Sequence, residues 1–92
     1  MKINLEIYKF GKILNSRPSG REAVLRARQI INGAKDIEKI SLDLSEVDII
    51  TPSFADEFIT GIKESYKGSE IEITGYSNNI VIKDTLKALN FI

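Results

Sequence analysis

Three short segments in which polar and apolar residues alternate limit most strongly what this chain can fold into. They are residues 2–8 (KINLEIY), 39–45 (KISLDLS) and 70–76 (EIEITGY). Alternation with a period of two is typical of strands with one buried face. Longer segments with helical spacing of apolar residues separate the three. A strand-helix alternation of this kind predicts parallel strands joined by right-handed crossovers.

The intervening segments carry signals for three helices. Ser19 followed by Glu22 reads as a capping box, which predicts a first helix from about Gly20 to Asn32-Gly33. Thr51-Pro52 predicts the start of a second helix, since threonine is a good N-cap and proline suits the first helical position. Residues 77–92 predict a third helix, capped by Ser77 or Asn78.

Gly11 followed by residues 12–15 (KILN) predicts a turn and a short returning strand, and therefore an N-terminal hairpin. Ninety-two residues suffice for one hydrophobic core. The expectation is a single α/β domain over residues 1–92. It has a mixed, mostly parallel sheet of about four strands, and three helices mainly on one side.

Composition removes several function classes. The chain has no cysteine and no histidine, which excludes disulfides, thiol nucleophiles, Ser-His-Asp triads and zinc sites of cysteine or histidine type. No apolar run approaches the ~18 residues of a membrane span. The first ten residues alternate and lack the apolar core of a signal peptide, so we expect a cytoplasmic protein. A pI near 6.3 disfavours a nucleic-acid partner.

Charge is unevenly distributed although the net charge is zero. Residues 1–39 carry nine basic and four acidic residues, and residues 40–92 carry four basic and nine acidic residues. Ser16, Arg17 and Arg21 precede or open the first helix. The arginines can hold an anion there, or Arg17 can pair with Asp56 or Glu57 and tie the two halves together. We favour the ion pair.

The first helix also has an interaction candidate on its outer face. Arg21 and Arg28 lie seven residues apart, with Leu25 between them. Arginine and apolar side chains are common at interfaces. A single exposed leucine is equally ordinary on a protein surface, so the stripe does not by itself predict a partner.

Residues 48–58 (DIITPSFADEF) hold the densest group of candidate functional residues. Asp56 and Glu57 are not an acid-base dyad, because adjacent helical residues point about 100° apart. Asp43 and Asp48 flank the end of a strand, where ligands of open parallel sheets bind, and with Asp56 they could gather around one Mg²⁺.

A family resemblance rests on these same residues. Residues 40–62 (ISLDLSEVDIITPSFADEFITGI) resemble the signature of the STAS domain, the fold of bacterial anti-sigma-factor antagonists. The chain is most similar to STAS-like relatives that carry SR before the first helix and FADE at the start of the second. Here these are Ser16-Arg17 and Phe54-Ala55-Asp56-Glu57.

The resemblance implies a non-catalytic protein-interaction module without a cofactor. In anti-sigma-factor antagonists the corresponding loop and helix dock on a kinase-type ATPase, and phosphorylation of a serine there disrupts docking. Aligning the aspartates places Pro52 at the phosphorylated position, with Thr51 and Ser53 on either side as substitute phosphoacceptors. The partner-binding residues implied are Asp48, Thr51, Ser53, Asp56, Glu57 and Thr60.

The favoured hypothesis is therefore an intracellular regulatory module that binds a protein partner, with a kinase-type ATPase or a regulator as the expected class. The alternative is a small phosphoacceptor or nucleotide/Mg²⁺-binding domain that uses Asp43, Asp48, Thr51 and Ser53. Its acids at strand ends resemble those of a receiver domain, but 92 residues are too few for the five βα units of that fold.

Overall fold

The computed structural model describes all 92 residues, as five strands and three α-helices in one α/β unit. The strands are β1 (Lys2–Glu6), β2 (Ile13–Leu14), β3 (Lys39–Asp43), β4 (Ile49–Ile50) and β5 (Glu70–Thr74). The helices are α1 (Arg17–Ile31), α2 (Pro52–Ser65) and α3 (Ile80–Ala88), and a short 3₁₀ helix spans Ile7–Phe10. No helix has the length and apolar character needed to cross a membrane.

The main sheet is parallel and has the order β1-β3-β5. Its register aligns apolar residues in rows, such as Leu5 with Leu42 and Leu42 with Ile73. Leu5, Ile40 and Leu42 are buried, whereas the residues that alternate with them along β1 and β3 are partly or fully exposed. The alternation therefore buries one face of the sheet and leaves the other polar, as the sequence predicts for helices on one side.

The predicted N-terminal hairpin is wrong. β2 does not return along β1 but pairs in parallel with β4, in a separate two-stranded sheet. The strand character of β1 ends at Glu6 because Ile7 enters the 3₁₀ helix and is fully buried. This helix turns the chain away from β1, and Gly11 follows with a φ of 138° that favours glycine.

Helix boundaries agree with the capping signals in one case and shift in two. Thr51 is the N-cap of α2 and Pro52 its first residue, as expected. α1 begins at Arg17, earlier than the Ser19–Glu22 capping box predicted, because Ser16 caps it instead. α3 is capped by Asn79, whose side chain accepts from the Ile82 N–H at 3.1 Å.

The first two helices pack side by side in the same direction and approach closely at two glycines. A Cβ atom on Gly20 would lie 2.9 Å from the Cβ of Glu57, and one on Gly61 would lie 2.7 Å from Cγ2 of Val24. Below them, Phe54 and Phe58 are almost completely buried and stack with a centroid separation of 5.7 Å. The close approach places the start of α1 beside the first turn of α2.

Candidate functional site

The segment before α2, from Asp48 to Thr51, contains β4 and is held in place by backbone hydrogen bonds. The N–H groups of Asp48 and Ile49 donate to the Lys12 carbonyl at 2.8 and 3.1 Å, and the Thr51 N–H donates to the Leu14 carbonyl at 2.9 Å. The Asn79 side chain adds a hydrogen bond from Nδ2 to the Asp48 carbonyl at 3.0 Å. These hydrogen bonds therefore fix the position of the segment that leads into α2.

The first turn of α2 uses the hydroxyl of Thr51 structurally. Its Oγ1 accepts from the Phe54 N–H at 3.4 Å, which satisfies one of the free donors at the helix start. Pro52 lacks an N–H and costs the helix nothing at this position. Ser53, in contrast, makes no hydrogen bond through its hydroxyl within the chain.

Three of the predicted partner-binding residues share one side of α2. Ser53, Asp56 and Thr60 are spaced by three and four residues, which places them on one face of a helix. We call these three residues the α2 stripe. The opposite face consists of Phe54, Phe58 and other buried residues, so the α2 stripe is the side of the helix that the core leaves free.

Asp56 and Glu57 pair with arginines from α1. Arg17 Nη1 donates to Asp56 Oδ2 at 2.9 Å and to Glu57 Oε2 at 3.2 Å, and Arg21 Nη1 donates to Glu57 Oε1 at 3.3 Å. The hydrogen bond to Asp56, and secondly the one to Glu57, raises the pKa of the Arg17 guanidinium. Both arginines thus form ion pairs with acids of α2.

Ser16 has a separate role from the arginines that follow it. Its Oγ accepts from the Ser19 N–H at 3.3 Å and donates to the Ser19 Oγ at 3.0 Å. Its φ of 74° is uncommon for a residue other than glycine, and it orients the side chain over the first turn of α1. Ser16 is therefore the N-cap of α1. Both residues of the SR pair thus have a structural role, since Ser16 caps α1 and Arg17 forms the ion pair with α2.

Asp43, at the carboxyl end of β3, is occupied by the turn that follows it. Its Oδ1 accepts from the Ser45 N–H at 2.9 Å. Hydrogen bonds from the Ser45 side chain and then its backbone, with a smaller one from Asn4, lower the pKa of Asp43. Gly75 has a φ of 77° and packs so tightly here that a Cβ would collide with Asp43 and Ser45.

The magnesium hypothesis requires acids that the structure does not bring together. No group of three or more acidic side chains lies close enough to share a metal ion, so Asp43, Asp48 and Asp56 do not gather around one Mg²⁺. Asp43 faces Ser45, and Asp56 faces Arg17 across the helix pair. Spacing along the sequence indicated nearby acids but not the directions in which they point.

One feature beside the site does not stand out in the sequence. Ile13 and Ile49 are register partners in the small sheet, and their exposed fractions are 62% and 46%. Only Leu14 and Ile50, the alternate residues of these two-residue strands, enter the core. The alternation of exposed and buried residues is present in both strands. Two residues are too few for such an alternation to be recognised in the sequence.

The parallel sheet, its helix-covered face and the capped α2 define a STAS-like fold. The family model for the STAS-like domain of unknown function (DUF4325) matches residues 23–81. The chain belongs to this family. No functionally curated protein and no solved structure matches the chain.

Proposed function

We propose that this domain is a non-catalytic intracellular regulatory module that docks a protein partner on the α2 stripe and the loop from Asp48 to Thr51. The observation that carries the proposal is the contrast between the two sides of α2. One side is fully engaged in the core, while Thr60 is exposed and Ser53 and Asp56 are partly exposed on a rigidly held frame. Interfaces formed by preorganised surfaces cost less ordering entropy on binding.

The neighbouring apolar pair supports a protein as the partner. Exposed Ile49 lies on β4, within the segment from Asp48 to Thr51 and directly after Asp48, and exposed Ile13 is its register partner on β2. Protein interfaces commonly combine an apolar centre with a polar rim. A partner that covers Ile49 would at the same time reach Asp48 and the first turn of α2.

The expected partner class comes from the family resemblance, which suggests a kinase-type ATPase or another regulator. We propose further that docking does not use the usual phosphoserine switch. Pro52 stands at the position of the phosphorylated serine and has no hydroxyl. Thr51 Oγ1 accepts the capping hydrogen bond from Phe54, although a free Ser53 remains nearby.

Thr60 is the best residue for testing the surface. Charge reversal of Asp56 or Glu57 would set new cations against Arg17 and Arg21 and disturb the helix pair as well as any interface. Thr60 is exposed and makes no hydrogen bond through its side chain. Thr60→Lys therefore adds charge and bulk to the α2 stripe without removing a contact of the fold.

The experiment is a pull-down from native lysate, with and without ATP, using the wild-type domain, Thr60→Lys and Gln29→Lys as baits. Gln29→Lys makes the same charge change at an exposed position in the C-terminal half of α1, where Gln29 lines a cleft separate from the α2 stripe. We expect an ATPase whose capture depends on ATP, retained by wild type and Gln29→Lys and lost with Thr60→Lys. Equal capture by both variants would contradict the assigned surface, and a prey set indifferent to ATP would contradict the partner class.

A further inference from the structure

A cleft of about 590 Å³ lies between the C-terminal halves of α1 and α2, away from the α2 stripe. Its walls include Leu25 and Arg28 from α1, Ile37 from the segment before β3, and Ser65 and Tyr66 from the end of α2. Ligand sites typically have volumes of roughly 300–1,000 Å³ and combine apolar walls with a few polar groups. This cleft has both properties.

Leu25 gives the cleft an exposed apolar edge. Its side chain is 57% exposed at the edge of the cleft, whereas Ile31, also lining it, is buried. The half-buried Ile37 and Tyr66 complete an apolar surface that is open to solvent. Burial of such a surface by an apolar group of a ligand is favourable.

Arg28 is the only residue lining the cleft that is charged at neutral pH. The other three arginines have partners: Arg17 and Arg21 pair with acids of α2, and Arg26 stacks over the Phe10 ring at 5.1 Å. Arg28 has no acidic partner and no hydrogen bond through its side chain. Its structural contribution is a favourable position in the last turn of α1, at the negative end of the helix dipole.

The geometry points to a binding site for a small amphipathic carboxylate, with its apolar part against Leu25, Ile37 and Tyr66 and its carboxylate on Arg28. A guanidinium matches a carboxylate through two parallel hydrogen bonds. A phosphate monoester carries about twice the charge. It would face a single cation, and the carbonyl end of α1, which opposes every anion, would oppose this double charge more strongly than the single charge of a carboxylate. A cationic ligand would meet Arg28 directly.

This inference goes beyond the proposed function and does not depend on it. The cleft is lined by Ser65 and Tyr66 at the C-terminal end of α2, whereas the α2 stripe starts at its N-terminal end. Thr60→Lys and Arg28→Gln thus perturb different surfaces. Failure of one proposal leaves the other standing.

The test is an ¹⁵N NMR titration of the 92-residue chain with 4-phenylbutyrate and with its uncharged analogue 4-phenylbutanamide. Ligands of this size bind at best in the millimolar range to such an open site, so the titration extends to ~10 mM. We expect saturable shifts concentrated at residues 25–37 and 65–66. We also expect the carboxylate to bind about fivefold tighter than the amide, or more.

Three variants assign that preference to Arg28. Arg28→Gln should remove it, and Arg28→Lys should keep part of it, because lysine retains the charge but not the paired hydrogen bonds. Arg26→Gln is the matched control, since it removes one arginine charge from the same helix outside the cleft. Thermal melts of all three verify the fold.

Several results would overturn the site. They are the absence of saturable shifts up to ~10 mM, shifts that do not localise to the cleft, equal affinity for acid and amide, or an equal loss of preference in Arg26→Gln and Arg28→Gln. The last result would mean that general charge, and not Arg28, attracts the carboxylate. Shifts at the α2 stripe instead of the cleft would also contradict it.

Discussion

The contact between Gly61 of α2 and Val24 of α1 gives the most quantitative test of how the helices are held together. Gly61→Ala removes the entropic cost of a mid-helix glycine, a gain of about 1 kcal/mol. The new Cβ would lie 2.7 Å from Cγ2 of Val24. Valine is β-branched and cannot easily rotate away. Overpacking of this kind costs roughly 1–3 kcal/mol, so the net effect is a destabilisation of about 1 kcal/mol.

A double-mutant cycle separates the two terms. In a Val24→Ala background the obstructing methyl groups are gone, and Gly61→Ala should stabilise the domain by the full ~1 kcal/mol of helix propensity. The assay is urea unfolding of the four proteins, with thermal melts in parallel. For a domain of this size ~1 kcal/mol corresponds to a Tm shift of about 4–8 °C.

Gly68→Ala is the control, because a Cβ there meets no atom within 4 Å. We expect its effect to stay within about 0.5 kcal/mol. If Gly61→Ala changed the unfolding free energy equally in the wild-type and the Val24→Ala backgrounds, the two residues would be uncoupled. The close approach of α1 and α2, and with it the position of Arg17 beside Asp56, would then be refuted.

Three further changes test the site region. Thr51→Ala should lose the cap on the Phe54 N–H and about 1 kcal/mol of unfolding free energy, while Thr51→Ser stays near wild type in urea titrations. The lowered pKa of Asp43 means that its stabilising contribution is present above its ordinary pKa of 3.8 and is lost as the pH falls below it. Asp43→Asn should therefore show a shallower decrease of Tm between about pH 5 and 2 than wild type. Pro52→Ser restores a hydroxyl where the family resemblance places the phosphoserine, and after incubation with ATP in native lysate it should gain about 80 Da, one phosphoryl group, which wild type does not.

Local patterns predicted the strands of the main sheet and the start of α2. The alternation around Leu5 and Leu42 and the Thr51-Pro52 cap are short-range signals, and the structure follows them. The prediction of a hairpin was wrong because the strand that pairs with β2 is distant in the sequence. Nothing near Gly11 indicated that the carbonyls of Lys12 and Leu14 would accept from residues 48–51.

The candidate site, like the fold, was predictable from the sequence only in part. Uneven charge along the chain favoured an ion pair between Arg17 and the two acids, and the structure places Arg17 Nη1 2.9 Å from Asp56 Oδ2. The directions of Asp43 and Asp48 were not predictable, because side-chain direction depends on the turn that follows each strand. The cleft at Arg28 was equally hidden, since its walls come from the ends of separate elements; Leu25 between two arginines was its only local sign.

The most direct test of the docking surface uses the absence of cysteine from the chain. Thr60→Cys and Gln29→Cys each introduce a unique thiol, which can carry a photoactivatable cross-linker into native lysate. The proposal predicts an ATP-sensitive cross-link to an ATPase from position 60 and none from position 29. Cross-links of equal yield from both positions, or from position 29 alone, would contradict the assignment of the α2 stripe as the surface that binds the partner.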